Sequence, residues 1–203
     1  MKKMIGISQR LIEHAEYKEI REALAIDWGV FFRNKTNFIP LALSIEIDFL
    51  EYVPYLSGVI LSGGNDLFCL NPDQLSKMRD DYERQIIEIC LQRHIPLLGV
   101  CRGAQIIAKY FCGDFNQTST HTKEHLITFL KKQYKVNSYH NYAITSLENF
   151  EILAQAEDGS IEAFCSHSHP IFGMLWHMER EKEMSYPSQM MWKKFLEAIE
   201  KGF

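Results

Sequence analysis

The stretch Ile95-Pro96-Leu97-Leu98-Gly99-Val100-Cys101-Arg102-Gly103-Ala104 limits the possible folds more than any other part of the chain. Its apolar run Ile95 to Val100 ends at Cys101, and Gly103-Ala104-Gln105-Ile106-Ile107-Ala108 begins a helical pattern at once. The pattern reads as a buried strand turning directly into a helix. Gly99-x-Cys101-x-Gly103 at that turn is the cysteine counterpart of a nucleophile elbow. Its glycines permit a sharp turn, which would hold Cys101 at the strand's C-terminal edge in a strained conformation. The helix N-terminus would then lie beneath the sulfur, where its positive end stabilises negative charge. A buried thiol in a tight crossover gives the same local pattern, so the case for a nucleophile depends on its partners.

The rest of the chain alternates short apolar runs with amphipathic stretches, the signature of an α/β fold around a mostly parallel sheet. Strands are expected at 3–7, 38–43, 56–61, 151–156, 161–165 and 171–177, and helices at 26–32, 73–93 and 188–201. Residues 126–144 read as short strands and polar turns. No repeat or linker interrupts the chain, and 203 residues with 46% hydrophobic content suit a single domain over 1–203 with a substantial core. A formal charge of −4 gives no basic excess for nucleic-acid binding. No apolar stretch is long enough for a bilayer span and the N-terminus does not read as an export signal, so neither a membrane partner nor secretion is expected. Five cysteines without a CxxC pair argue against both a disulfide framework and a cysteine zinc site, and point to a reducing cytoplasm.

A thiolate nucleophile needs a base, and the base needs an orienting group. Trp176-His177-Met178-Glu179 supplies both. At a strand end, residues two apart share a face, so Glu179 could fix the tautomer of His177 while His177 serves Cys101. An oxyanion would be met by backbone N–H groups at the Ser62-Gly63-Gly64-Asn65-Asp66 turn, Gly64 above all, and at Arg102.

Four ordered motifs, Ser62 to Asp66, Gly99 to Gln105, Val136-Asn137-Ser138-Tyr139-His140-Asn141 and Trp176 to Glu179, resemble those of class I glutamine amidotransferase-like proteins. The Arg after the cysteine and the V-N-S-x-H element resemble the γ-glutamyl hydrolase branch, peptidase family C26. The resemblance implies a flavodoxin-like three-layer α/β/α fold and a triad of Cys101, His177 and Glu179. It also implies that Gly63, Asn65, Gln105, Asn137, Ser138 and His140 contact the substrate. The implied reaction is hydrolysis of a γ-glutamyl amide through a glutamyl-thioester, with no cofactor and no metal. The family writes F-H-P-E where this chain has W-H-M-E, which keeps the His and Glu and alters the turn between them. The run Arg21-Glu22-Ala23-Leu24 to Trp28-Gly29-Val30-Phe31-Phe32 is similar to branch members of bacterial capsule biosynthesis. That implies a small-molecule γ-glutamyl substrate conjugated to a cytidine nucleotide. Three other readings stay open: a glutaminase subunit feeding ammonia to a separate synthase, a hydrolase of γ-glutamyl amines, and a non-enzymatic binding module. A homo-oligomer is compatible with the sequence.

Arg33, Lys35 and Arg102 are candidates to receive a diphosphate, because guanidinium and ammonium groups pair with phosphate. His167 and His169 lie two apart but lack a third ligand by spacing, so a polar loop explains them. His121 and His125 flank Glu124 without H-E-x-x-H order and read as surface helix or loop. Met190, Met191, Trp192 and Phe195 read as a core-facing helix stripe, and Cys69, Cys90, Cys112 and Cys165 as core or loop thiols.

Overall fold

Hydrophobic alternation decides which face each strand buries, and the faces define three layers in a computed structural model that describes residues 3–201. The first half of the chain runs β1 (Met4–Ser8), β2 (Arg10–His14), β3 (Glu19–Ala23), α1 (Ile26–Lys35), β4 (Ile39–Leu43) and α2 (Phe49–Tyr52). It continues through β5 (Leu56–Leu61), α3 (Gln74–Arg93), β6 (Leu97–Val100) and α4 (Arg102–Tyr110). Four short strands follow: β7 (Asp114–Gln117), β8 (His125–Phe129), β9 (Lys132–Val136) and β10 (Tyr142–Ser146). The chain closes with β11 (Phe150–Ala156), β12 (Ile161–Ser166), β13 (Ile171–Met174) and α5 (Tyr186–Lys201).

Strands β4-β1-β5-β6-β13 lie side by side and parallel. In chain order this is 2-1-3-4-5, the flavodoxin-like arrangement. From β13 the sheet continues antiparallel through β12, β11, β8 and β9, with β10 pairing β12 and β7. The expected α/β/α layering is present. One face of the sheet, with Ile60 and Leu98, packs on Trp28, Phe31 and Phe32 of α1 and on Met191, Trp192 and Phe195 of α5. The other face, with Val59, Leu61 and Leu97, packs on Ile86, Ile87 and Cys90 of α3 and on Ile106 and Ile107 of α4. Among the described residues, no helix is long and apolar enough to cross a membrane.

Two elements depart from the sequence expectation. β2 and β3 form a separate antiparallel hairpin after β1, where the sequence pattern predicts no element. β13 ends at Met174, three residues before His177.

Candidate active site

In open parallel sheets, ligand sites collect at the C-terminal strand ends. Here the ends of β5 and β6 carry Ser62-Gly63-Gly64 and Cys101. Cys101 alone makes the turn from β6 into α4, at φ 53° and ψ −112°. A non-glycine residue held there stores about 1–3 kcal/mol of strain. The strain is sustained by hydrogen bonds on both sides. The Cys101 N–H donates to the Met174 carbonyl at 2.8 Å, and the Ala104 and Gln105 N–H groups donate to the Cys101 carbonyl at 3.0 and 3.1 Å. Gly103 allows the close packing of α4 on β5, since a Cβ there would lie 1.9 Å from the Leu61 carbonyl oxygen.

His177 and Glu179 come together by a different route from strand alternation. Past β13 the backbone is extended at His177 and then tightens into a 3-10 turn over Met178–Arg180. The turn folds Glu179 back, so that its Oε1 lies 2.6 Å from His177 Nδ1. Both side chains are buried. Trp176 and Met178, the departures from the F-H-P-E pattern, are fully buried, and the Trp176 indole donates to Ser188 Oγ at 2.8 Å. They anchor the segment in the core on either side of the histidine. The far edge of the imidazole approaches Gly63 and Cys101. A Cβ added to Gly63 would lie 2.7 Å from His177 Cε1, 3.5 Å from Nε2 and 3.6 Å from Cys101 Cβ. Burial opposes charge on His177, but the Cys101 sulfur and then the Glu179 carboxylate outweigh it and push its pKa up to about 9.

The glycine turn after β5 is fixed from behind. Arg79 Nη2 donates to the Ser62 carbonyl at 2.7 Å and Nη1 donates to the Gly63 carbonyl at 3.0 Å. In a planar trans peptide the C=O and N–H point opposite ways, so holding the Gly63 carbonyl turns the Gly64 N–H away from Arg79. Gly64 itself takes φ 123°, and a Cβ there would meet Arg10 and Arg79 at 2.7 and 2.8 Å. Arg102 opens α4, where a backbone N–H has no acceptor within the helix. These are the two donors expected to meet an oxyanion.

Arg79 belongs to a buried polar network that sequence reading missed. Its Nε donates to Glu83 Oε1 at 2.9 Å, and Ser8 Oγ donates to the same oxygen at 2.7 Å. Arg102 pairs with Asp80 and with the second Glu83 oxygen. Burial pulls the Arg79 guanidinium down to about 9, with Asp80 and Cys101 opposing. The signal lay in the helical period: Arg79 and Glu83 share a stripe with Tyr82, Ile86 and Cys90, so charged residues occupied core positions.

Several expected contacts are differently placed. The Arg102 side chain is 1% exposed and committed to Asp80 and Glu83, so it does not receive a diphosphate. Arg33 and Lys35 line a cavity of about 600 Å³ with Lys3 and Phe38, at the N-terminal ends of β1 and β4. That is the end of the sheet opposite Cys101, which corrects their assignment to the same substrate. Asn65 spends both ends of its amide on the Leu11 backbone, at 3.0 Å each, and so ties down the β2–β3 hairpin. Asn137 brackets the His177 backbone, donating to its carbonyl at 2.9 Å and accepting from its N–H at 2.8 Å. Ser138 Oγ donates to the His121 carbonyl. Gln105 Nε2 donates to the Tyr142 carbonyl at 2.8 Å, and His140 Nδ1 lies 3.0 Å from the same oxygen. The side chains of Asn65, Asn137, Ser138 and His140 thus hold the protein's own segments rather than present themselves to a ligand. His121, expected on a surface, is 3% exposed, and His125 begins β8 beside it.

At the rim, Tyr139 is 54% exposed with its ring centroid 5.5 Å from that of His177. Arg180 lies over the outer ring, 4.6 Å from its centroid. Neither stood out in the sequence, since Tyr139 fills the variable position of the V-N-S-x-H element and Arg180 lies just past Glu179. Of the remaining cysteines, Cys90 and Cys165 are buried, and burial pushes Cys165 up to about 11.

The Glutamine amidotransferase class-I profile matches residues 45–197. A protein of Campylobacter jejuni described as gamma-glutamyl-CDP-amidate hydrolase is 50% identical over 184 residues, covering 89% of this chain and 92% of its own. A solved structure from Thermoplasma acidophilum superposes at a TM-score of 0.73 with 18% identity, over 99% of this chain and 96% of that one. A glutamine amidotransferase from Thermotoga maritima superposes at 0.63 with 17% identity, over 99% and 86%. With its glycine turn, cysteine elbow and histidine–glutamate turn all inside or beside the matched segment, the chain belongs to the class I glutamine amidotransferase family.

Proposed function

We propose that the chain is a cysteine hydrolase that cleaves γ-glutamyl-CDP-amidate, releasing glutamate and cytidine diphosphoramidate. The observation that carries the chemistry is Cys101 at a strained elbow, with His177 against it and Glu179 2.6 Å from the far ring nitrogen. The likeness to the Campylobacter jejuni protein supports the choice of substrate.

In the first half-reaction the Cys101 thiolate attacks the γ-carbonyl carbon. The carbonyl electron pair moves onto oxygen, where the N–H groups of Gly64 and Arg102 stabilise it. Collapse expels the amide nitrogen, which takes the proton from the His177 imidazolium. A glutamyl-thioester remains on Cys101. His177, now neutral, removes a proton from water as the water attacks the thioester, and then returns a proton as the thiol is expelled and glutamate leaves. Glu179 keeps the ring oriented and offsets its charge in both steps.

Arg180 and Tyr139 suit the leaving group. A diphosphate beside His177 would find the Arg180 guanidinium, and the exposed Tyr139 ring offers a face for a pyrimidine. A cytoplasmic setting fits five free thiols, two of them exposed.

Glutamate release from γ-glutamyl-CDP-amidate, γ-glutamyl amines and glutamine, with native protein beside Cys101→Ala, tests the reading. Cys101-dependent turnover that favours the nucleotide substrate is expected, with Arg180→Ala raising KM for that substrate and leaving glutamine unaffected. Preference for simple amines would keep the hydrolase and discard the nucleotide. Turnover of glutamine alone would favour an ammonia-supplying subunit, and turnover by Cys101→Ala would overturn the mechanism.

A further inference from the structure

A second cluster of chemically capable side chains lies behind the loop that carries Asn137, away from the thiol. Three imidazoles surround one carboxylate. Glu162, on β12 and fully buried, has its Oε1 3.1 Å from His121 Nδ1, 3.4 Å from His125 Nε2 and 3.5 Å from His140 Nε2. All three of these nitrogens and both Glu162 oxygens lack a hydrogen-bond partner despite being buried. The contacts are close but not aligned as N–H···O bonds. In a native interior such a group of orphaned polar atoms calls for an explanation.

The far side of the buried His140 ring supplies one. His140 Nδ1 lies 3.0 Å from the Tyr142 carbonyl, which only a protonated Nδ1 can satisfy. His121 Nε2 lies 3.2 Å from Asp158 Oδ2, an ion-pair contact that is not aligned as a hydrogen bond. The neutral His140 ring therefore turns its Nε2 lone pair toward the Glu162 carboxylate, an arrangement that repels unless a cation stands between. Holding the outer N–H on a carbonyl or carboxylate is how proteins orient histidines that ligate metals. The alternative, an imidazolium at every ring, would set positive charges against one another. His121 and His125 are stacked with centroids 4.4 Å apart, so charge on both would set two cations face to face.

The spacing fits a small metal ion. Ligands at about 2.0–2.2 Å from a tetrahedral zinc lie about 3.3–3.5 Å from one another, and each lone pair points well off the line joining two ligands. The 3.5 Å from Glu162 Oε1 to His140 falls in this range and the 3.1 Å to His121 lies just below it, and the three ligand atoms lie within 4.8 Å of one another. A surface cavity of about 180 Å³, lined by His121, His125 and Asp158, gives an entry path.

We propose that His121, His140 and Glu162 form a binding site for a first-row divalent transition metal such as Zn2+, with His125 or water in the fourth position. The site would be structural. It fastens the segment before β8 to the loop between β9 and β10, where Ser138 and the His140 N–H already hold the His121 carbonyl. Asn137 in that loop grips the His177 backbone.

The test uses Cys101→Ser protein, so that the elbow thiol cannot take the metal. Chelator-treated protein is titrated with Zn2+, followed by calorimetry and thermal unfolding. About one equivalent binding with a Kd below about 1 μM is expected, raising Tm by about 5–10 °C at a hundredfold excess over Kd. His140→Ala and Glu162→Gln should abolish both effects. Because either variant could fail to fold, Co2+ is also added to the Cys101→Ser protein itself. Strong visible d–d absorption of a four-coordinate ion, without the near-ultraviolet thiolate charge-transfer band, is expected. No saturable binding, an unchanged Tm, or a thiolate band from another cysteine would overturn the proposal and leave the cluster as a protonated histidine–carboxylate group.

Discussion

One side chain fixes the backbone of the histidine in the site: Asn137 donates to the His177 carbonyl at 2.9 Å and accepts from the His177 N–H at 2.8 Å. The pair imitates one rung of a β-ladder just where β13 has ended. Asn137→Ala removes the rung and leaves the backbone of His177 without its partner groups, while Glu179 still holds the ring. A loss of about tenfold to a hundredfold in kcat with KM nearly unchanged is expected, because positioning is lost and substrate contacts are kept. Steady-state kinetics of a folded variant check this; a pure KM effect would return Asn137 to the substrate.

Gly63 is the point where the three parts of the site meet. A methyl group there would lie 2.7 Å from His177 Cε1 and 3.6 Å from Cys101 Cβ. Gly63→Ala should push the imidazole from the sulfur and lower kcat by about a hundredfold. Activity close to native would show that the two side chains meet by another path.

The core scaffold was readable where short apolar runs alternate with periodic helices, as in β5, β6 and α3, because burial on both faces leaves little freedom in how such segments pack. The elbow was readable for the same reason: a glycine pair around one cysteine between strand and helix has few geometries. What the sequence concealed depends on long-range closure. Asn137, Ser138 and His140 stand in one motif, yet their side chains serve His177, His121 and Glu162, residues 40, 17 and 22 positions away. Arg33 and Lys35 looked like phosphate ligands, but α1 runs antiparallel to the strands and carries its last turn to the wrong end of the sheet. His121 and His125 looked like surface residues because their partner, Glu162, lies on a strand that periodicity alone marks as core.

Arg79 holds the glycine turn and is paired with Glu83, the two side chains being 1% and 0% exposed. Arg79→Met strands the Glu83 carboxylate beside Arg102 and frees the Ser62 and Gly63 carbonyls. A destabilisation of about 3–5 kcal/mol is expected, as for removal of one member of a buried charge network. Denaturant unfolding measures it. Arg79→Lys should recover little, because an ammonium cannot span two carbonyls and a carboxylate at once. A loss below about 1 kcal/mol in Arg79→Met would show that the network is not needed for the fold.

Strain at the elbow should be visible as a trade of stability against activity. Cys101 sits at φ 53°, where glycine costs nothing sterically. Cys101→Gly should abolish turnover and yet be more stable than Cys101→Ala by about 1 kcal/mol, since the alanine retains the strained Cβ. Equal stability of the two would mean that the turn is relaxed.

The protonation of His177 sets the pH range of the enzyme. Its pKa lies at about 9, above the ordinary 6.5, because Cys101 and Glu179 outweigh the cost of burial. In the proposed mechanism His177 is the acid that protonates the departing nitrogen and works while it holds its proton, so kcat/KM should fall on the alkaline side with an apparent pKa near 9. The sign for stability follows from linkage. A histidine whose pKa is raised on folding contributes stability that is complete below about 6.5 and is lost as pH rises through about 9. Native protein should therefore lose more stability than His177→Ala over that interval. Glu179→Gln removes one of the two supporting groups, and its alkaline limb should move down. In Cys101→Ala the other is gone, and the His177 ring resonances should titrate at lower pH than in the native protein. An unchanged titration in Cys101→Ala would mean that sulfur and imidazole do not interact in the resting enzyme, and that the ion pair forms only when substrate closes the site.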